Sequence, residues 1–189
     1  MNSILIFNID WMLFNIWLAI VPVIFVWLFF AVKNRILKWI FGILWLLYLP
    51  NTIYIITDME HIFTQWPRVD EASRLILVLQ YIVLEFVGIV TFFIALCPLE
   101  TLLTTWKPTK TAATGILITF NMLMGFAMVL GKVERIHSWY VFTQPLHVLR
   151  SIEQVLSSGE LVILALLLGV FTNCLYFLFR KPLVKMFTR

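Results

Sequence analysis

Two residues one helical turn apart carry the clearest chemistry in this sequence. Asp58 and His61 follow a strongly apolar run, and a helix would place both on one face. A carboxylate beside an imidazole orients the ring and raises its basicity, as a general base or acid requires. Asn51 and Tyr54 extend this polar stripe into the apolar run, where solvation alone would not demand them. We therefore predict Asp58 and His61 as catalytic residues and Asn51 and Tyr54 as substrate contacts. An interfacial helix end that meets headgroups and water would show the same residues.

A second polar block follows the fourth apolar run. If the helix continues through residues 132–139, Lys132 and Arg135 share one face with Trp139. Two cations at headgroup level can hold a phosphate or an anionic lipid. Lys132, Arg135, Ser138 and Trp139 are accordingly predicted to bind substrate, although ordinary snorkelling anchors would have the same composition.

Two polar residues lie deep inside apolar runs. Glu85 is costly there, because an ionised carboxylate at a span centre costs roughly 2.5–3.5 kcal/mol even on the lenient insertion scale. We expect it to face the bundle, protonated, in a hydrogen bond with Asn121. Structural packing, a proton or ion relay and a substrate contact all remain open for this pair.

Metal and nucleotide chemistry find little support in the sequence. Asp58 with His61 and Glu134 with His137 each have usable ligand spacing, but two ligands one turn apart are a weak signal. No Walker loop, nucleophile elbow or dinucleotide fingerprint is present. We therefore assign no metal ligands and no cofactor.

The elements that position these residues belong to a membrane protein. Of 189 residues, 62% are hydrophobic and 13% are charged, against roughly 45–50% apolar and 25% charged in soluble domains. Mean hydropathy is +0.98. The composition predicts one all-α, polytopic membrane domain over residues 1–189, with the lipid bilayer as its partner and no nucleic acid.

Five spans fit the apolar runs, each close to the roughly 20 residues that a bilayer requires. Proline kinks are expected at Pro22 and Pro50, a polar loop over residues 58–74, and an end to the third span near Pro98. The predicted spans are residues 11–32, 36–57, 73–97, 111–131 and 161–179, with an interfacial amphipathic helix at residues 144–157.

Basic residues predict the orientation. With the N-terminus outside, nine of the 14 Lys and Arg residues lie on the cytoplasmic side, as the positive-inside rule requires. The nine are Lys33, Arg35, Lys38, Lys107, Lys110, Arg180, Lys181, Lys185 and Arg189. This predicts a cell-membrane protein with a cytoplasmic C-terminus and both polar blocks on the extracytoplasmic face.

Both polar blocks resemble a bacterial family of predicted multi-pass membrane proteins catalogued as domain of unknown function 1361. Residues 49–61 are similar to its PN-x-x-Y-x-x-TD-x-x-H signature, and residues 131–139 to its GR-x-x-R-x-NSW block. Lys132 stands where the family usually has Arg, which keeps the charge but loses the planar fork for bidentate anion binding. His137 stands where it usually has Asn, which argues against a histidine ligand there.

Three functions remain open at this point. The first is a membrane enzyme or binding protein acting on a lipid-linked or anionic substrate in the outer leaflet. The second is a small transporter or ion-conducting or proton-conducting subunit that uses Glu85 and Asn121. The third is a structural or accessory membrane subunit, for which all of these contacts are packing.

Overall fold

Helices make up all the regular structure in the computed structural model, which describes residues 3–106 and 108–187. Their bounds are Ser3–Ala31 (α1), Arg35–Tyr48 (α2), Pro50–Tyr54 (α3), Glu60–Gln65 (α4), Glu71–Trp106 (α5), Lys110–Lys132 (α6), Tyr140–Thr143 (α7), Pro145–Ser157 (α8) and Gly159–Phe187 (α9). Short 3-10 turns at Ile55–Met59 and Trp66–Arg68 join the segments around α4. Four basic residues of the charge count have side chains outside the described residues: Lys107, Lys181, Lys185 and Arg189.

Within the described residues, five stretches are long and apolar enough to cross a membrane, which confirms the all-α, multi-pass prediction. They are Ser3–Ala31, Arg35–Arg68, Glu71–Leu103, Lys110–Lys132 and Gly159–Arg180. The first begins eight residues before the predicted start at residue 11, and polar side chains in this added stretch have partners inside the protein. Asn8, for example, is completely buried and hydrogen-bonded to α4 and α5.

The chain forms two compact units, Met1–Ala95 and Leu96–Arg189. In the first unit α1 packs against α2, and Asn34 caps α2 by accepting the backbone N–H groups of Ile36 and Leu37 at 2.9 and 3.2 Å. The helical run is then broken at Pro50, since proline has no N–H to donate. Thr52 restores polar contacts there by donating its N–H and its hydroxyl to the Leu49 carbonyl.

The prediction of a polar loop over residues 58–74 is wrong. Helical turns continue through Ile55–Met59, α4 and Trp66–Arg68 before α5 begins. The tertiary contacts explain the difference, because Ile62 packs against the core of the first unit and Gln65 exchanges hydrogen bonds with Asn8. The polar composition of the segment suggested exposure to water, whereas the side chain of Gln65 is hydrogen-bonded to α1.

The third span also runs further than predicted. Pro98 lies inside α5, which continues to Trp106. A proline within a helix has no N–H to donate to the carbonyl group four residues earlier, which for Pro98 is that of Ile94. The buried indole of Trp45 donates its Nε1–H to the Ala95 carbonyl at 2.9 Å. This side-chain donor binds α5 one residue away from the weakened position, and α5 continues through Pro98.

Asp70 forms the cap that starts α5, and we expect this cap to depend on pH. Its carboxylate accepts the Ser73 N–H at 2.9 Å and the Ser73 hydroxyl at 3.0 Å. These hydrogen bonds hold the pKa of Asp70 below its ordinary value. A lowered folded-state pKa means that the stabilising contribution is complete above about pH 4 and is lost as the pH falls through the folded-state pKa.

Amide hydrogen exchange at Ser73 and Arg74 would measure this cap. We expect Asp70→Ala to speed exchange at neutral pH, and the difference from wild type to shrink as the medium is acidified. Glu71→Gln, which changes the neighbouring acidic residue without removing the cap, is the matched control. Equal protection of wild type and Asp70→Ala at pH 7 would contradict the capping role.

In the second unit α6 and α9 are the main packing pair. They cross closely at Gly125 and Gly169, and one turn further along the Asn121 side chain donates to Asn173 at 3.3 Å. The predicted amphipathic helix at residues 144–157 is confirmed as α8. It buries Ser151 and Val155 against the unit, while a separate apolar arc remains exposed, including Leu146, Leu149 and Leu156.

The predicted continuation of the fourth helix through residue 139 is wrong. α6 ends at Lys132, and Arg135 adopts a left-handed conformation with φ 53° that a right-handed helix cannot contain. The Ile136 N–H donates to the Leu130 carbonyl at 3.1 Å and closes the turn. Lys132 and Arg135 are therefore not held on one helix face.

Candidate functional site

A buried polar network joins α1, α4 and α5 in the first unit. Asn8 donates to the side-chain oxygens of Gln65 at 2.8 Å and Gln80 at 3.3 Å. It accepts from Trp11 Nε1 and from Gln65 Nε2, both at 3.0 Å. The Tyr81 hydroxyl donates to Gln65 at 3.4 Å. Hydrogen bonds of this kind take the place of water where helices pack in lipid, so the network fixes α4 beside α1 and α5.

Asp58 lies in the 3-10 turn directly before α4 and is buried, with 4% of the residue exposed. The Asn15 amide donates to its Oδ2 at 3.1 Å. Its other oxygen, Oδ1, lies 4.0 Å from Nε2 of His61. A buried carboxylate is costly unless polar groups hold it, and here α1 supplies the donor. The structure thus brings Asp58 and His61 together and adds Asn15 to them.

His61 occupies the open side of the pair. Its side chain is 44% exposed, against 5% for that of Asp58. The Trp11 ring meets the imidazole edge-on, with ring centroids 5.8 Å apart, and also contacts Tyr81 at 6.2 Å. The imidazole therefore has one neighbour that can accept a proton, one that limits ring movement, and an accessible side where a substrate can approach.

Close packing of α5 against α3 and the following turn sets the position of Asp58. A Cβ added at Gly88 would lie 3.0 Å from the Thr52 carbonyl oxygen and 3.1 Å from Cβ of Ile55. Ile55 is fully buried in the core cluster of this unit, which also contains Leu77 and Leu84 of α5. The absence of a side chain at Gly88 thus lets the segment that carries Asp58 approach α5.

Glu85 belongs to the same neighbourhood. The Asp58 carboxylate is close enough to act electrostatically on both Glu85 and Tyr81. Oε1 of Glu85 is buried and has no hydrogen-bond partner among the described residues. A buried oxygen without a hydrogen-bond partner from the protein is uncommon. Sequence reasoning treated Glu85 as separate from Asp58, whereas the first unit places the two carboxyl groups within range of each other.

Asn51 and Tyr54 are half-buried in α3. They precede Asp58 on a helical segment that changes from α to 3-10 geometry at Ile55–Met59. A 3-10 turn advances about 120° per residue instead of 100°, so spacing along an ideal α-helix does not describe the whole stripe. Their role as substrate contacts stays a prediction.

The second polar block lies in the other unit. Lys132 ends α6, whereas Arg135 is exposed in the left-handed turn and Ser138 and Trp139 follow in a non-helical stretch. The His137 and Trp139 rings are stacked, with centroids 4.4 Å apart and planes at 4°. The block is therefore organised around an aromatic stack rather than a basic helix face, and its convergence with Asp58 and His61 stays a prediction.

Asn121 is completely buried in the second unit. Its amide donates to Asn173, whose own amide donates to the carbonyl groups of Ile118 and Gly169 at 3.3 and 3.0 Å. Oδ1 of Asn121 has no partner among the described residues. The predicted hydrogen bond between Glu85 and Asn121 stays a prediction, and Asn173 is a partner that the sequence argument did not consider.

Residues 3–106 and 108–187 contain no cluster of side chains suited to bind a metal ion. No group of three or more His, Cys, Asp or Glu side chains there could hold a metal ion. The pairs with ligand spacing also differ in structure, because Asp58 and His61 lie on helical turns whereas Glu134 and His137 lie in the turn region after α6.

Sequence reasoning missed the contribution of α1 to the site. Asn8, Trp11 and Asn15 recur at spacings of three and four residues, which places them on one helix face. The predicted first span, residues 11–32, left Asn8 outside the helix, and no role was predicted for these three residues. Polar residues at helical spacing in an otherwise apolar run were the available signal.

The long apolar helices define a multi-pass membrane protein. The family model described as Protein of unknown function (DUF1361) matches residues 14–175. The chain belongs to this family, as the two sequence blocks had indicated. Nothing among the curated proteins or the solved structures matches it.

Proposed function

We propose that this protein binds or processes a lipid-linked or anionic substrate at the extracytoplasmic face of the cell membrane. His61 acts as the acid or base, and Asp58 orients it. The observation that carries the proposal is the contrast within this pair: the Asp58 carboxylate is buried and held by Asn15, while the adjacent imidazole is 44% exposed.

This contrast suits acid–base chemistry. A buried carboxylate that accepts a hydrogen bond is held in one orientation, and it can in turn orient the imidazole of His61. The separation of 4.0 Å between Nε2 and Oδ1 is longer than a hydrogen bond. Such contacts commonly shorten when substrate binds.

The distribution of basic residues supports the extracytoplasmic face as the location of this chemistry. Nine basic residues fall on one side and five on the other when the N-terminus is outside. Asn51, Tyr54, Lys132, Arg135, Ser138 and Trp139 are then proposed to contact the substrate. Arg135 is exposed on its turn, which leaves its guanidinium accessible to an anionic group.

A lipid conversion assay tests the proposal. Protein reconstituted with a total lipid extract and with lipid-linked substrates is compared by mass spectrometry before and after incubation. We expect a lipid-linked or anionic species to change with wild type and with His147→Ala, the matched control on exposed α8, but not with His61→Ala or Asp58→Ala. If folded His61→Ala and Asp58→Ala convert the same species as wild type, the proposal fails.

Single-cysteine labelling tests the orientation. Cys174 is exposed and Cys97 is buried, so labelling starts from a background in which Cys174 is replaced. We expect Glu60→Cys and Lys132→Cys both to react with a membrane-impermeant reagent added from outside. If the two cysteines react from opposite sides of the membrane, the prediction that both polar blocks lie on the extracytoplasmic face is wrong.

The second candidate is a proton or ion relay, which the unpartnered Oε1 of Glu85 and its electrostatic range to Asp58 favour. In this reading Glu85 and Asn121 carry the transported species. Glu85→Gln would abolish ion or proton flux into proteoliposomes while His61→Ala would leave it intact. If neither variant nor Asp58→Ala changes any activity, the protein is an accessory subunit.

A further inference from the structure

A cavity of about 470 Å³ lies in the second unit, and none of the lining residues that the structure describes is assigned to the candidate site. Its walls come from the C-terminal part of α5, the first turns of α6 and the C-terminal half of α9. The charged residues that line it are Glu100, Lys110 and Arg180, and its apolar walls include Leu103 and Leu117. The volume lies in the range of ligand sites, roughly 300–1,000 Å³.

Arg180 is held in place at this cavity. Its Nη1 donates to Oε1 of Glu100 at 3.0 Å, and the same oxygen accepts the Tyr176 hydroxyl at 2.8 Å. The guanidinium also lies over the Phe177 ring, 4.6 Å from its centroid. A guanidinium carries five N–H donors in a fixed fork, and the bond through Nη1 uses only part of them. The side chain is still 29% exposed.

Lys110 supplies a second positive charge on the cavity wall and is exposed. Among the described residues of the lining, these two cations outnumber the single carboxylate of Glu100. Arg180 directly follows the apolar run of the predicted fifth span, residues 161–179, and is followed by Lys181 in the sequence. Cationic and apolar walls therefore meet at the depth where phospholipid headgroups lie.

We propose that this cavity binds the phosphate group of an anionic phospholipid, with Arg180 and Lys110 as its ligands. Arginine held in one geometry matches the tetrahedral oxygens of phosphate, and lysine adds a point charge. A free phosphate ion would use the same side chains. The apolar walls and a volume well beyond one phosphate group favour the lipid. Glu100 positions Arg180 but repels the anion, so it limits the affinity.

Native mass spectrometry of the full chain tests the site. The protein in detergent is titrated with phosphatidylglycerol, with phosphatidylcholine of the same acyl chains, and with inorganic phosphate. We expect tighter binding of phosphatidylglycerol than of the zwitterionic lipid, and no displacement by inorganic phosphate. Equal retention of the two lipids, or displacement by inorganic phosphate, would overturn the lipid assignment.

Three variants separate a binding role from a structural one. Lys110→Gln should weaken phosphatidylglycerol binding about fivefold and Arg180→Gln about tenfold or more. Glu100→Gln keeps an acceptor for Tyr176 and removes the opposing charge, so it should tighten binding. Arg150→Gln on exposed α8 is the control and should leave binding unchanged. If Arg180 serves only its ion pair, Glu100→Gln will not tighten binding and Lys110→Gln will have no effect.

Discussion

Gly125→Ala is expected to destabilise the second unit severely. A Cβ at this position would lie 2.2 Å from the Gly169 nitrogen and 2.5 Å from the Ala165 carbonyl oxygen, where no real Cβ can sit. Both obstacles are backbone atoms, so the helices must move apart. Separation would also break the 3.3 Å contact between Asn121 and Asn173 one turn away. Inserting atoms into packed cores costs typically 1–3 kcal/mol and occasionally more.

Thermal unfolding in detergent measures this effect. A loss of about 3 kcal/mol lowers the melting temperature by roughly 6–12 °C for a chain of this size. Gly115→Ala on the same helix is the matched control, because a Cβ there meets nothing within 4 Å. Alanine is the better helix former, so the control should be neutral or slightly more stable. Equal melting temperatures for the two variants would show that the close crossing of α6 and α9 does not exist.

Asn8→Leu is expected to weaken the first unit by about 2–4 kcal/mol. Asn8 is fully buried and takes part in four side-chain hydrogen bonds, with Gln65, Gln80 and Trp11 as partners. Interhelical hydrogen bonds in membrane proteins average about 0.6 kcal/mol each. Leucine also leaves buried polar groups of the partners unpaired, at about 1–3 kcal/mol for each that finds no other partner.

A double-mutant cycle distinguishes this network from simple packing. Asn8→Leu, Gln65→Leu and the combination are compared by reversible unfolding in mixed detergent micelles. Because the two residues exchange two hydrogen bonds, the second substitution should cost much less once the first is present. Leu13→Ala, an exposed site on the same helix, is the control. Additive losses within about 0.3 kcal/mol would contradict the network.

This network also bears on the proposed chemistry. Gln65 is in α4, which directly follows the turn that carries Asp58. Loss of the Asn8 contacts would free α4 and, with it, His61. We therefore expect any His61-dependent activity to fall in Asn8→Leu through misplacement of the imidazole, even though Asn8 touches no substrate. Geometry errors of about 1 Å are enough to reduce a rate substantially.

The sequence by itself determined the class of protein and the region of its site. Runs of apolar residues require helices in lipid, because every backbone polar group must be satisfied internally, and this principle yields five spans without tertiary information. The spacing of Asp58 and His61 is a local property of helical turns, so their proximity followed from the sequence as well. α8 was recognised for the same reason, since its polar and apolar arcs are set by residues within one helix.

Only the tertiary structure decided where the helices end and which partners complete the site. Segment 58–68 is helical because Asn8, distant in sequence, hydrogen-bonds to Gln65. Trp45 hydrogen-bonds to the Ala95 carbonyl in the helix that continues through Pro98. The end of α6 depends on a left-handed residue, Arg135, whose type gives no warning of that conformation. Asn15 reaches Asp58 across 43 residues of chain. A contact between distant residues produces no periodic pattern in the sequence of either segment. It can therefore be identified only from the packed arrangement of the helices.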